Sequence, residues 1–265
     1  MKTGKSVRLL TLYAAMALSL CVGSVGSVAS AANAAASDEE KVGDAAAAKI
    51  LGSMKVINNP TAQTYLNTLG ASIAGLTVRA NLAWRFTIVD SADLNAFAAP
   101  GGIVMVTKGL LKILDSEDEL AAVLSHEIMH VVRKHHYNVI VRQRLADELT
   151  QKMAASESNQ SMNALSNVSS VIYARGLDKS AEFEADFQGI QLLAKAGYDP
   201  AALIGVLEKL SKIQAGDSRA ELLFATHPAA LDRMDQIARI NSESLPSTSP
   251  SALRKTRFQT FKSAL

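Results

Sequence analysis

From Ser116 to Ala155 the chain runs without Pro or Gly, and apolar residues recur at helical spacing among good helix formers, so a long helix is expected. Ala121, Ala122, Leu124, Ile128, Val131 and Val132 crowd its first half, which predicts burial there. This helix is expected to continue past His135 and His136, with a charged helical stretch over 138–156. Upstream, residues 38–55 read as mostly helix, with Asp38, Glu39 and Glu40 suiting its N-terminus and Gly43 and Gly52 weakening it. Asn58-Asn59-Pro60 is a break, and residues 61–76 form a second helix with Tyr65, Leu66, Leu69, Ile73 and Leu76 on one face. Trp84–Val89 alternates and is rich in β formers, Ile103–Thr107 is a second strand, and Pro100-Gly101-Gly102 is a turn. Together they predict a small antiparallel hairpin ahead of the long helix. Gly109–Leu114 is a short helix.

Farther along, Ser158–Ser169 is polar and weakly patterned, closer to a disordered loop than to a lid. Residues 179–196 are strongly helical, and Gly197-Tyr198-Asp199-Pro200 stops that helix and starts another, to about Gln214. Thr226-His227-Pro228 precedes a last helix over 229–241. From Ser242 the chain is Ser/Pro-rich and then basic (Arg254, Lys255, Arg257, Lys262), which predicts a flexible tail over 243–265. The pattern is α+β and mostly helical, one domain over 38–242 with a small antiparallel sheet.

The first 37 residues change the picture. Lys2, Lys5 and Arg8 precede an uncharged run from Leu9 to Ser37, apolar at first and then rich in Gly, Ser and Ala. That is the layout of an export signal over 1–34, with cleavage near 31 or 34 at Ala29-Ser30-Ala31 or Ala32-Asn33-Ala34. Gly23, Ser24, Gly26 and Ser27 dilute the apolar run and disfavour a retained anchor. Cys21, the only cysteine, follows Leu20 rather than the small residue a lipoprotein signal needs, so the exported chain is expected to carry no thiol. Net charge is +2 from 27 basic and 25 acidic residues; without Lys2, Lys5 and Arg8 it is 24 against 25, or −1. No basic run with interleaved aromatics occurs, which argues against nucleic acid as a partner.

The buried stretch of the long helix holds His126-Glu127-Ile128-Met129-His130. Residues four apart share a helix face, so His126 and His130 can grip one metal ion, with Glu127 about 100° round beside it. This is the H-E-x-x-H arrangement of zinc hydrolases. A buried charged Glu beside two His is costly without compensation, and a metal supplies it. Catalytic zinc wants three protein ligands and an open position. His136 stands ten residues after His126, a known third-ligand spacing, but that pattern needs Gly at 133 and finds Arg133. Glu182 is the favoured candidate, with Asp186 four residues later on the same face, able to hydrogen-bond the far nitrogen of a ligand His. The edge of the expected hairpin (Asn95, Ala96, Phe97, Ala98, with Gly101 and Gly102) either completes a sheet or receives a substrate peptide as an added strand.

Asn95-Ala96-Phe97 with Pro100-Gly101-Gly102, His126–His130, Glu182–Gly189, Ala196–Pro200 and Thr226-His227-Pro228 occur in this order. Over about residues 40–242 the chain resembles the gluzincin peptidases that include HtpX, the CaaX prenyl endopeptidases, Oma and the BepA-type proteases. The resemblance implies a thermolysin-like metalloprotease fold with one zinc per chain on His126, His130 and Glu182. It places His227 near the metal, as a donor to the tetrahedral oxyanion or as a resting ligand, with Arg233 assisting and Glu127 carrying the proton. His135 and His136 are left as non-ligands. Where that group often has Ser-Arg ahead of the ligand Glu, this chain has Asp178 and Lys179. The implied function is a zinc endopeptidase acting on polypeptides, above all misfolded or misassembled envelope proteins. The implied location is the periplasm, with association at the membrane periphery or with outer-membrane proteins. The alternative is a zinc-containing binding or chaperone-like protein with little turnover, against which the intact Glu127 speaks.

Overall fold

The computed structural model describes residues 36–154, 177–214, 216–227, 229–239 and 251–265. The expected export signal, the 158–169 excursion and the start of the tail lie outside the described residues. Everything else is built round helix α4 (Glu117–Val132), buried at 14 of its 16 positions. Ser116 caps its N-terminus, its hydroxyl accepting from the Glu119 N–H at 3.2 Å.

Ahead of α4 stand α1 (Asp38–Leu51), α2 (Pro60–Ala74) and three strands, β1 (Arg85–Val89), β2 (Ala96–Ala99) and β3 (Ile103–Thr107), followed by the short α3 (Lys108–Ile113). Ser37 and Glu40 form a capping box at α1, and Asn59 with Pro60 starts α2. Side chains alternate across β3 as the pleat requires. Val104 and Val106 join Phe86, Ile88 and the α2 residues Leu66, Leu69 and Ile73 in the main core. Ile103 and Met105 join Phe97, Ala99 and the α1 residues Ala46, Ala47 and Ile50 in a second core.

The sheet order is β1-β3-β2, and the sheet is mixed, not wholly antiparallel. The hairpin expected between β1 and β3 is instead formed by β2 and β3, with Ala99 opposite Ile103, while β1 pairs with β3 in parallel. Strand β2 was not legible because Ala-Phe-Ala-Ala has weak β propensity; burial at all four positions makes it a strand. The tight turn uses Gly101 at φ 79° and Gly102 at φ 101°, conformations that favour glycine.

The long helix does not continue past His135. It ends at Val132, and Lys134 takes a left-handed φ of 59° before α5 (His135–Ala154) begins. The stop is tertiary. Arg79 Nη1 donates to the Val131 carbonyl at 2.7 Å, and Lys134 Nζ lies 3.1 Å from the Glu39 carboxylate, which Arg79 also grips. No local residue announces it.

Helix α6 (Lys179–Lys195) lies along α4, and α7 (Ala202–Ser211), α8 (Glu221–Thr226) and α9 (Ala230–Ala238) complete the region round the site. The expected flexible tail is corrected over its last 15 residues. Ala252–Ser263 form α10, which packs on α2 and α4 with Phe258 and Phe261 buried. Phe261 stacks on Tyr65 at 4.4 Å between ring centroids. Lys262 Nζ donates to the Lys112 and Leu114 carbonyls at 2.6 and 2.8 Å at the end of α3. The compact unit runs from Ala36 to Leu265.

Candidate metal centre and active site

Helix α4 projects His126 and His130 from one face, with their Nε2 atoms 3.0 Å apart. Helix α6 brings Glu182 opposite them. Its Oε2 lies 3.6 Å from His126 Nε2 and its Oε1 3.4 Å from His130 Nε2. The close approach of the two helices depends on Gly189, where a Cβ would sit 3.3 Å from the His126 backbone. His227, at the end of α8, reaches the same point with Nδ1 2.7 Å from Glu182 Oε2. The ligand atoms of His126, His130, Glu182 and His227 all lie within 4.8 Å of one another.

These residues fit a tetrahedral metal. Bonds of about 2.0–2.1 Å imply ligand–ligand edges of roughly 3.3 Å, and the three His–His and His–Glu spacings straddle that value. Glu182 Oε1 is buried and has no hydrogen-bond partner among the described residues, a cost that a cation removes. The cluster can therefore hold a metal.

Asp186 Oδ1 lies 2.9 Å from His126 Nδ1. An Asp carboxylate there accepts the Nδ1 proton and leaves the Nε2 lone pair facing the cluster. Arg233, on α9, grips Asp186 with Nε at 2.8 Å and Nη2 at 2.6 Å. Burial opposes charge on Asp186, yet the Arg233 guanidinium holds its pKa down at about 2. Burial and Arg233 press on His126 in the other direction, but Asp186 and Glu182 outweigh them and lift it to about 9. Burial takes His130 well below its usual value. Glu182 is held well below the usual carboxylate range, because the surrounding His residues outweigh its burial.

Glu127 is buried beside the cluster, and burial pushes its pKa up, which makes it a better proton acceptor. A cleft open to solvent is lined by His126, Glu127, His227 and Arg233. It is also lined by Leu203, Val206, Leu207 and Leu210 of α7, with Val123 and Leu223.

Of the expected substrate platform, only Ala96 lines this cleft. Asn95 is fully buried, and Phe97 faces the second core against α1. Ala98 is buried in β2, and Gly101 and Gly102 lie at a turn against Glu40 and Trp84. Arg233 engages Asp186 with two donors and also borders the cleft. His136 was expected to point away from the site along a continuing helix. The break at Arg133–Lys134 instead brings its ring to 5.3 Å from that of His130, outside the four-residue cluster. The same break brings in His135, whose Nδ1 is 3.0 Å from His130 Nδ1 and whose Nε2 is 3.1 Å from Glu184 Oε2. Sequence reading missed the contacts of His135, since on a continuing helix His135 lies about 140° round from His130.

Two imidazoles from an H-E-x-x-H helix and a carboxylate from a second helix, beside a buried Glu, form the arrangement of a metal-dependent peptidase. The chain belongs to peptidase family M48, whose family model matches residues 60–241. It is 30% identical over 205 residues to the beta-barrel assembly-enhancing protease of Escherichia coli (strain K12), covering 74% of this chain and 42% of that one. It is 34% identical over 162 residues to the mitochondrial metalloendopeptidase OMA1 of Arabidopsis thaliana, covering 60% and 32%. To the metalloprotease LoiP of Escherichia coli (strain K12) it is 30% identical over 178 residues, covering 66% and 67%. The chain thus spans less than half the length of the first two relatives.

Proposed function

We propose that this protein is a zinc-dependent endopeptidase of envelope protein quality control, exported to the periplasm. The observation that carries the reading is the buried Glu127 set beside a cluster with tetrahedral spacing and an unpartnered Glu182 oxygen. Zinc on His126, His130 and Glu182 would supply Lewis acidity toward the scissile carbonyl and the attacking water. Glu127 takes the proton of that water and returns it to the leaving amine. Asp186, pinned by Arg233, keeps His126 in the tautomer that presents Nε2. His227 serves as the oxyanion donor once it leaves Glu182, or as a resting ligand while it stays.

The apolar wall of α7 supports a misfolded substrate, because unfolded chains expose apolar side chains that a native surface hides. A relative named for β-barrel assembly supports the envelope setting. The uncharged run after Arg8 supports export. Among the described residues no helix is long and apolar enough to cross a membrane. The outer position of β2, with Ala96 at the cleft, supports its use as a platform for substrate backbone.

The test is casein hydrolysis by wild type and Glu127→Gln, with zinc content measured on both. Equal zinc and a fall in cleavage of at least about 10²-fold in the variant are expected. Zinc in both and cleavage in neither would favour the binding or chaperone-like reading. Equal cleavage by both would remove Glu127 from the chemistry.

A further inference from the structure

His130 presents Nε2 to the cluster, so its other nitrogen, Nδ1, faces outward. There it meets His135 Nδ1 at 3.0 Å, and His135 Nε2 in turn meets Glu184 Oε2 at 3.1 Å. Glu184 is itself fixed. Arg133 Nε lies 2.6 Å from its Oε1, and Gln188 Nε2 donates to the same oxygen at 3.0 Å. The left-handed Lys134 makes this contact possible by ending α4 and turning His135 back under it.

Proton polarity runs one way along this chain. A carboxylate only accepts, so His135 carries its proton on Nε2 and gives it to Glu184. With one proton per ring, His135 Nδ1 is then a lone pair, and His130 must carry its proton on Nδ1 to fill it. That leaves the His130 Nε2 lone pair free to face the cluster. We infer that His135, anchored by Glu184, is a positioning residue that fixes the metal-binding tautomer and ring orientation of His130. The inference rests on reading the cluster as a metal site. The two ligand imidazoles are then held by different chemistry. His126 leans on a buried carboxylate that is paired with Arg233, and His130 leans on a second imidazole whose carboxylate partner is partly exposed. No carboxylate touches His130 Nδ1 among the described contacts, which limits the negative charge packed beside Glu127 and Glu182.

The test uses the whole protein and needs no substrate. Zinc affinity is measured by chelator competition for wild type, His135→Leu and His135→Asn, and the His130 ring tautomer is read by ¹⁵N NMR of the metal-free proteins. His135→Leu is expected to weaken zinc about 10–100-fold and to lose the Nδ1–H form of His130. His135→Asn, whose Oδ1 can accept near the place of Nδ1, is expected to recover most of the affinity, which a loss of mere packing would not allow. Wild-type affinity in His135→Leu, or no recovery in His135→Asn, overturns the inference. Should His135→Leu fail to fold, Glu184→Ala, at a half-exposed position, is expected to weaken zinc several-fold, and unchanged affinity there overturns it equally. A wild type that binds zinc but cleaves nothing sinks the peptidase reading and leaves this one standing. A wild type that binds no zinc sinks the metal reading, and the metal-free NMR spectrum still decides the tautomer.

Discussion

Arg233 and Lys179 both form ion pairs with an Asp, at 2.6 and 2.7 Å, and their surroundings set them apart. The Arg233–Asp186 pair is almost wholly buried, whereas Lys179 and Asp232 are 67% and 48% exposed in their side chains. Removing one partner of a buried pair leaves an uncompensated charge and costs about 3–5 kcal/mol, while an exposed pair contributes about 0–1 kcal/mol. Arg233→Leu is therefore expected to destabilise the metal-free protein by several times more than Lys179→Ala in urea unfolding. Equal midpoints for the two variants would show that Asp186 finds another partner. The same contrast explains why Asp178 and Lys179 can replace Ser-Arg ahead of Glu182. Asp178 accepts from the Ala181 N–H at 2.9 Å and caps α6, and Lys179 contributes only a surface pair.

At the scale of elements, the site is a contact between two helices. Glu182 and Asp186 reach His126 and His130 where α6 approaches α4 closely at Gly189, with room for no more than a tightly packed Cβ. Gly189→Val places a branched side chain against the His126 backbone and must push the helices apart. Zinc affinity should drop at least tenfold while helix content by circular dichroism changes little, and retained affinity would mean that the pair slides instead. Much of this was legible. The spacing of His126 and His130 and of Glu182 and Asp186 each put two groups on one helix face, and the structure brings those faces together. What stayed hidden has a common physical cause. Strand β2 and the break at Arg133–Lys134 are imposed by burial and by Arg79 and Glu39, which lie far off in sequence. A local pattern cannot report a helix end that a distant guanidinium caps, so His135 and Glu184 went unnoticed as a pair.

Across the whole molecule, the C-terminal helix fastens to the start of α4. Its sequence looked like a solvated tail because only Phe258 and Phe261 are large and buried, and its remaining anchors are charges. Those charges meet acidic residues that read as an ordinary helix N-terminus. Arg257 forks onto Glu117, which also accepts from Tyr65 at 2.7 Å and Tyr198 at 2.9 Å, and Arg254 reaches Asp118 at 3.2 Å and the Gly197 carbonyl at 2.7 Å. Burial works against the Glu117 charge, but Arg257 and the two tyrosines outweigh it and hold its pKa below the usual range. A carboxylate depressed in the folded state stabilises fully above its unfolded value, about 4.3, and that contribution is lost as pH falls through the folded value. Stability of the wild type should therefore decline below about pH 4.3 more steeply than that of Glu117→Gln, which has no proton to take up there. The variant starts less stable at neutral pH, and the two curves should converge in acid. Urea unfolding followed from pH 7 to pH 3 reads this directly, with the helix contact reported by the fluorescence of Tyr65 beside Phe261. Parallel curves would mean that Glu117 is as well satisfied in the unfolded chain as in the folded one. The helix would then be held by its two phenylalanines, each contributing about 1.5–3 kcal/mol, together with the Arg254 and Lys262 contacts.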